Sequence, residues 1–389
     1  MRVGILKDVK QGEYRVVATP AEVHSIVHDG HEVWVQKDAG DAAGFPDAAY
    51  VEAGAKIVDD AKTIYGECDF VTKVKEFTPD EFPLIRENQI LYACVHPAAH
   101  PEEVQALLDS KCISFSAEDC HRYGSPNCEA AGKCGALMGL WSMLSINGGK
   151  GKCVNGLGGA PGINALVLGA GTVGRACIGF LHALGAHVTV MDVNIGVLRD
   201  VGKQFNEEVD TMISNRYNLI KELPHTDVVY NCVRWPKDAK EAMITREMVR
   251  SMERGSVIVD ISNDEGAIET FHETTHENPI YIEEGVVHYC VSNIPGAIAQ
   301  STSISYAASL LPHFRSILNN GIAEACARDG FLRRSLTTYK GYLTHEETSG
   351  IQGRPWIRPE TILGLEGRKD LDYAPAATRT KSNNFITLK

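Results

Sequence analysis

The sequence predicts an α/β protein built on parallel sheets, and three observations carry that expectation. Short apolar runs alternate with helical stretches over residues 1–130, and again over about 163–300, the rhythm of strands joined by helical crossovers. The runs of the second stretch are apolar nearly throughout, as strands buried on both faces are. One of them leads directly into Gly169-x-Gly171-x-x-Gly174 and then into a helical pattern.

The elements follow in order. MRVGIL reads as the first strand and HEVWVQ as the second. Between them TPAEVHSIVHDG reads as a helix: Thr19 caps it, Pro20 suits its first turn and Gly30 ends it. DFVTKV, ILYACV and KCISFS continue the alternation. EAAGKCGALMGLWSMLSI is rich in alanine and glycine with a helical period, and is expected to run from one domain into the next. A glycine-rich loop, GGKGKCVNGLGGAPG, follows; then NALVLGAG, HVTVMDV, DVVYNCV and SVIVDIS repeat the strand–helix rhythm. STSISYAASLLPHFRSILNNGIAEACARDG is one long helical candidate in which Pro312 predicts a kink or a break. The final segment, APAATRTKSNNFITLK, lacks core periodicity and is expected to be loosely held unless it packs on another subunit.

Composition narrows the function. A chain of 389 residues predicts two domains or three. Lys+Arg 38 against Asp+Glu 50 gives a net charge of −12, which argues against a nucleic-acid or anionic-membrane partner. A small anionic substrate is still allowed, because it needs only one or two placed cations. No run of apolar residues is long enough for a membrane-spanning helix. MRVGILKDVKQGEYR lacks the apolar core and small-residue cleavage site of a signal peptide. The 11 cysteines are odd in number and no pair has CxxC spacing. That pattern predicts a reducing, cytoplasmic setting, free thiols and no metal site.

The glycine fingerprint is the strongest local signal. A strand, Ala165 to Leu168, leads in; a helix of about Val173 to Leu184 leads out; Gly185 ends that helix, and a second strand, His187 to Met191, finishes on Asp192. Gly169 permits the tight turn, Gly171 lets backbone approach a pyrophosphate, and Gly174 allows close helix–strand packing. With Thr172 and Val173 these residues put the phosphates at the positive end of the helix. Asp192 lies where a carboxylate takes the adenosine ribose hydroxyls and repels a 2′-phosphate, so NAD is expected over NADP. SVIVDISNDEG and VVHYCVSNIPG, ending on Asp264 and Asn293, should bring polar groups to the carboxyl edge of the same sheet. His288 reads as an interior residue.

Three polar residues interrupt structural segments of the front region: Arg15 in GEYRVVATP, Lys75 at the end of DFVTKVK, and His96 after ILYACV and before Pro97. Arginine can hold a carboxylate by two parallel hydrogen bonds, lysine can polarise a carbonyl, and histidine can exchange a proton near neutral pH. Spacing alone does not bring the three together.

In these pieces the chain resembles the alanine dehydrogenase family and its relative, the N-terminal region of nicotinamide nucleotide transhydrogenase. EYRVVATP, KVKE, RENQILYACVHPAA, VLGAGTVG, REMVRSMERGSVIVD, ETTHENPIYIEEGVVHYCVSNIPGA and YKGYLT carry the resemblance, over about residues 1–364. The resemblance implies two doubly wound parallel-sheet domains, the second a Rossmann NAD-binding domain inserted in the first: a discontinuous substrate domain of residues 1–128 and 303–389 around a Rossmann domain of 129–302. It also implies a homo-oligomer, a hexamer or a dimer. By position, Arg15 and Lys75 match the contacts to the substrate carboxylate and carbonyl, His96 the general acid/base, and Asp264 the carboxylate that assists catalysis. Gly169, Gly171, Gly174 and Asp192 match the NAD fingerprint. Ser214 matches a residue near the adenosine; Ile261, Asn293 and Ile294 match loops near the nicotinamide ribose. The chain departs from the family pattern at Pro97, at Cys128, at His272, and in NCVRWPK, which introduces Arg234 and Trp235.

The function expected is therefore NAD-dependent oxidative deamination of a small L-amino acid, with alanine as the default. One alternative keeps the hydride chemistry but joins a keto acid to an amino acid, with Arg234 and Trp235 shaping a second pocket. Another is a non-catalytic NAD(H)-binding regulatory protein, against which the joint presence of Arg15, Lys75, His96 and Asp264 argues.

Overall fold

A computed structural model describes residues 1–236, 239–263, 266–376 and 380–386. The chain divides into two compact units, Met1–Ser125 with Ala299–Lys389, and Pro126–Ile298.

The first unit opens with six parallel strands: β1 (Arg2–Ile5), β2 (Glu32–Gln36), β3 (Lys56–Val58), β4 (Phe70–Thr72), β5 (Ile90–Ala93) and β6 (Ile113–Ser116). Their order in the sheet is β3-β2-β1-β4-β5-β6. The order reverses between β1 and β4, and in such sheets a crevice opens at the carboxyl ends of the strands on either side of that reversal. The first crossover helix, Pro20–His28, begins on Thr19 in a capping box with Glu22. It is followed by Gly30 at φ +89°, a backbone geometry that suits glycine. Apolar residues cover both faces of the sheet. Phe314 sets its ring edge-on to Phe70 and Tyr92, at centroid distances of 5.1 and 5.0 Å. These aromatic contacts fasten the helix Ala299–Asn320 to a sheet built some two hundred residues earlier.

The second unit carries β7 (Asn164–Leu168), β8 (His187–Asp192), β9 (Asp210–Ile213), β10 (Val228–Asn231), β11 (Val257–Asp260), β12 (Ile280–Glu283) and β13 (Val286–Tyr289). The sheet order is β12-β13-β11-β10-β7-β8-β9, parallel except for β12 at one edge. The helix Pro126–Ser142 lies wholly in this unit, contrary to a run between two domains. Its glycines explain its composition. A Cβ on Gly132 would sit 2.2 Å from the Val173 carbonyl oxygen, and one on Gly139 would sit 2.5 Å from the Tyr230 ring. The helix is Ala/Gly-rich because it lies directly on the sheet and on the first crossover helix of the unit. His288 is fully buried, with Nε2 2.8 Å from Thr270 Oγ1 and Nδ1 3.0 Å from the Val286 carbonyl. Burial pushes its pKa down to about 4.

The chain then returns to the first unit. β14 (Leu336–Tyr339) and β15 (Tyr342–Leu343) add antiparallel beyond β6 and complete a sheet of eight strands among the described residues. Ser114 with Thr338, and Ser116 with Thr337, exchange buried hydroxyl hydrogen bonds at 2.8 and 2.6 Å across that junction.

Two expectations about the last third of the chain need correction. The helix Ala299–Asn320 passes through Pro312 without a break. The carbonyl that loses its partner there belongs to Ala308, which is exposed, so water can satisfy it. The break falls instead at Gly321, at φ +76° and ψ 166°, and a second helix, Ile322–Arg328, follows. The described part of the tail is not loose. Phe385 stacks on Trp356 at 5.0 Å, Trp356 N–H donates to the Asn384 carbonyl, and Ser382 is buried against Ser349. Residues of its own unit hold it.

Candidate active site

The first unit carries a set of charged residues in the segments that follow β1, β4, β5 and β6. The segment after β1 runs inward because Val16, Val17 and Ala18 are core residues. Val16 N–H donates to Ser303 Oγ, and Tyr50 O–H donates to the Ala18 carbonyl. Arg15 is carried in with them and is 4 % exposed. Its partner is Glu13, which sequence reasoning missed. Arg15 Nε donates to Glu13 Oε1 at 2.7 Å and Arg15 Nη2 to Oε2 at 2.5 Å. Burial alone would raise the Glu13 pKa; the Arg15 guanidinium outweighs it and holds the carboxyl below its ordinary value.

Lys75 follows β4. Its backbone N–H donates to Asp8, which stands after β1, at 2.8 Å. The neighbouring lysine two residues back does something else: Lys73 is buried in an ion pair with Glu81 at 2.8 Å. Of the two lysines in TKVK, Lys75 is the one that is half-exposed beside the cluster. Its charge lowers the pKa of Glu13 and Glu76 and opposes that of His96.

His96 follows β5 at φ +46°, a left-handed backbone that a residue with a Cβ adopts only when its surroundings impose it. Those surroundings are specific. The His96 N–H donates to Glu118 Oε1 at 2.5 Å, and His96 Nδ1 stands 3.1 Å from Glu76 Oε1. Gln352, from the far end of the chain, donates to the Pro97 carbonyl at 2.7 Å. Burial would lower the His96 pKa; Glu118 and Glu76 outweigh it, and the imidazole is held above its ordinary value. Its side chain is 42 % exposed and so within reach of a ligand. Cys94 and Tyr306, 3.2 Å apart, complete the wall.

Arg15 is thus held by Glu13 and His96 by Glu76 and Glu118, and the Lys75 charge acts on both Glu13 and Glu76. Two of the missed carboxylates had a faint signal: Glu76 and Glu118 lie four and two residues beyond the carboxyl ends of β4 and β6, where a doubly wound sheet puts its working groups. Asp264 lies outside the described residues.

The second unit presents its own site at the corresponding reversal, between β7 and β10. Gly169 follows β7 at φ +88°. A Cβ on Gly174 would sit 1.9 Å from the Gly169 carbonyl oxygen, so only glycine fits there. Beyond its chain neighbours, a Cβ on Gly171 would meet no atom of the described residues within 4 Å, and that open space is where a pyrophosphate would approach. The helix Thr172–Ala183 starts on Gly171 with no side chain capping its amides. Thr172 is exposed and Val173 half-buried on that first turn. Asp192 ends β8, and its oxygens accept from Ala170 N–H at 2.9 Å and Asn194 N–H at 2.8 Å. Each oxygen keeps capacity for a ribose hydroxyl. Ser214 N–H donates to the Asp192 carbonyl, so Ser214 stands at the same edge. Ile261 follows β11, 8 % exposed against the glycine face of Pro126–Ser142. Asn293, at φ +65°, opens the short helical turn Ile294–Ile298. The residues present fit a dinucleotide. Trp235 packs against the apolar cluster beneath this edge, with Val233.

Two doubly wound units, one built for a dinucleotide and one gathering an arginine, a lysine and a histidine, define a nucleotide-dependent oxidoreductase fold. The chain belongs to the alanine dehydrogenase/PNT family. It matches the family's N-terminal domain over residues 4–127 and its C-terminal domain over residues 136–346. It is 35% identical to the alanine dehydrogenase of Methanococcus maripaludis over 371 residues, 93% of this chain and 100% of that one. It is 35% identical to the alanine dehydrogenase of Bacillus subtilis over 370 residues, 93% of this chain and 98% of that one. Among solved structures, an L-alanine dehydrogenase superposes with a TM-score of 0.85 at 30% identity, covering 91% of this chain and 99% of the other. A transhydrogenase from Sinorhizobium meliloti shares the fold, with a TM-score of 0.72 at 22% identity over 89% of this chain and 99% of the other.

Proposed function

We propose that the chain is an NAD-dependent dehydrogenase of a small L-amino acid, converting it reversibly to the 2-keto acid and ammonia, with alanine as the default substrate. The observation that supports this reading is that Arg15, Lys75 and His96 stand in the segments after β1, β4 and β5 of one sheet, with the Lys75 charge acting on the partners of both Arg15 and His96. Arg15, oriented by Glu13, is assigned the substrate carboxylate. Lys75 directs its ammonium at the carbonyl or carbinolamine oxygen. His96 gives and takes the proton as water or ammonia adds to the substrate carbon. Asp264 is assigned the carboxylate that assists these steps, on the match of its position in the sequence. Bound NAD supplies the hydride acceptor; Gly169, Gly171, Gly174 and Asp192 are the residues that hold it. The Asp192 carboxylate favours NAD over NADP.

The same reading makes the protein a homo-oligomer, a hexamer or a dimer, working in the cytoplasm. The 11 free cysteines support a reducing compartment.

The test is NADH oxidation with pyruvate and ammonia, set against pyruvate with a panel of amino acids and no ammonia. Turnover with ammonia is expected. Turnover only with an amino acid as the amine would replace this reading by N-(carboxyalkyl) amino acid formation, and tight NADH binding with no turnover on any panel would leave a binding protein.

A further inference from the structure

Glu76 is the acid that the expected roles leave unexplained. It lies in the loop after β4, with a side chain 16 % exposed, and it faces three basic groups: His96 Nδ1 at 3.1 Å, Lys10 Nζ at 3.3 Å and His100 Nε2 at 3.8 Å. Burial alone would raise its pKa. The His96 hydrogen bond and the charges of Lys75, His96 and Lys10 more than offset that, and Glu76 is held well below the usual carboxylate range. An ionised carboxylate only accepts hydrogen bonds, so Nδ1 of His96 is the donor. In the neutral imidazole the lone pair is then on Nε2.

We infer that Glu76 is the positioning residue of His96: it accepts the hydrogen bond from Nδ1–H, fixes the tautomer and leaves Nε2 as the atom that exchanges protons with substrate. This rests on the reading of His96 as the acid/base. The proton leaves and returns at Nε2, while the other hydrogen stays on Nδ1, donated to Glu76. The backbone is held by a separate group, since Glu118 accepts the His96 N–H. The orientation of the ring about its own side-chain bonds therefore depends on Glu76. The groups that face the imidazole are Glu76 and Lys75 from the loop after β4, and Glu118 from the turn after β6; Lys10 and His100 act on it through Glu76. Removing the Glu76 charge leaves Lys75 less opposed, which lowers the His96 pKa.

The experiment is made on the full-length enzyme. Glu76→Gln is expected to lower kcat about tenfold or more while KM for the keto acid stays within about twofold. It should also move the histidine limb of the pH–rate profile to lower pH. Glu76→Asp, which keeps the charge on a shorter arm, should recover part of both. Protein labelled with nitrogen-15 at histidine reads the tautomer directly by NMR: Nδ1–H in the wild type, with that preference lost in Glu76→Gln. A kcat loss with an unmoved pH limb and an unchanged tautomer overturns the inference, and so does wild-type turnover in Glu76→Gln. A wild-type spectrum showing the Nε2–H tautomer overturns it without any variant. His96→Ala keeps the two readings apart: turnover retained there removes the acid/base role of His96, while the tautomer spectrum still decides the pairing.

Discussion

Glu13 holds Arg15 by three hydrogen bonds: the Arg15 backbone N–H and Nε both donate to Oε1, at 2.9 and 2.7 Å, and Nη2 donates to Oε2 at 2.5 Å. Both side chains are almost fully buried. A buried guanidinium aimed in this way presents a fixed edge to a ligand carboxylate. Glu13→Gln keeps the shape and removes the charge. KM for the keto acid is expected to rise about tenfold, in line with the ~1.5–3 kcal/mol of a charge-assisted hydrogen bond. Thermal stability should fall too, because a buried charge loses its partner. Steady-state kinetics and a melting curve check both; an unchanged KM counts against Arg15 as the carboxylate clamp. Arg15→Lys should not preserve activity, since an ammonium lacks the planar fork.

The glycine loop of the second unit separates two kinds of damage. Gly171→Ala puts its methyl into space free of protein atoms. The melting temperature should be nearly unchanged while NADH affinity drops about tenfold or more, roughly 1.4 kcal/mol. Gly174→Ala drives a methyl onto the Gly169 carbonyl. It should lower both the melting temperature and the affinity. Fluorescence titration with NADH reads the affinity, and wild-type binding by Gly171→Ala would sink the pyrophosphate assignment.

The pH dependence has a definite sign. His96 is held above its ordinary value of 6.5 by Glu118 and Glu76. Amino-acid oxidation needs the imidazole as a base, so kcat/KM for deamination should rise with pH through a midpoint above 6.5. Amination needs the imidazolium, and its rate should fall across the same window. Profiles measured in both directions, with a midpoint below 6.5, would contradict this electrostatic arrangement.

Asp329 is a structural hub. It accepts from Arg122 Nε at 2.8 Å and from Phe331 N–H at 2.9 Å, capping the helix Gly330–Ser335, and it stands 3.0 Å from His313 Nδ1. His313 Nε2 in turn meets the Cys120 sulfur at 3.3 Å. Burial pushes that thiol up to about 12, so this chain of contacts is a fastening and not a nucleophile. Burial would raise the Asp329 pKa; His313 and Arg122 outweigh it and bring it down to about 2, from a reference of 3.8. Because the folded value is depressed, its stabilisation is complete above the reference value and is lost as pH falls towards 2, about 2 kcal/mol in all. Asp329→Ala should cost about 3 kcal/mol in a denaturant titration at neutral pH. Its deficit relative to wild type should shrink as pH falls from 4 towards 2.

What could be read along the chain was what neighbours in sequence decide. Thr19, Pro20 and Gly30 bracket the first helix because capping is a matter of a few adjacent residues. The strand–Gly169-x-Gly171-x-x-Gly174–helix turn and its closing Asp192 are legible for the same reason: one tight turn and one short strand set the geometry. Pro312 predicts a kink or a break in its helix; no break falls there, because Ala308, whose carbonyl loses its partner, is exposed and the rest of the helix is fastened by Phe314 and its neighbours. The tail misled because its partners, Trp356 and Ser349, are not periodic in sequence.

The sequence by itself determined the class of fold, the dinucleotide turn and the identity of the three basic residues. Only the tertiary structure decided how those bases are held. Glu76 is 20 residues from His96 and Glu118 is 22. Asp8 is 67 residues from Lys75, and Gln352 is 255 from Pro97. The first three pairings join the segments after different strands, and Gln352 reaches Pro97 from the end of the helix Glu346–Gln352, so the fold, not the spacing along the chain, makes them neighbours. The burial that comes with that assembly then turns ordinary side chains into partners whose charges must be satisfied.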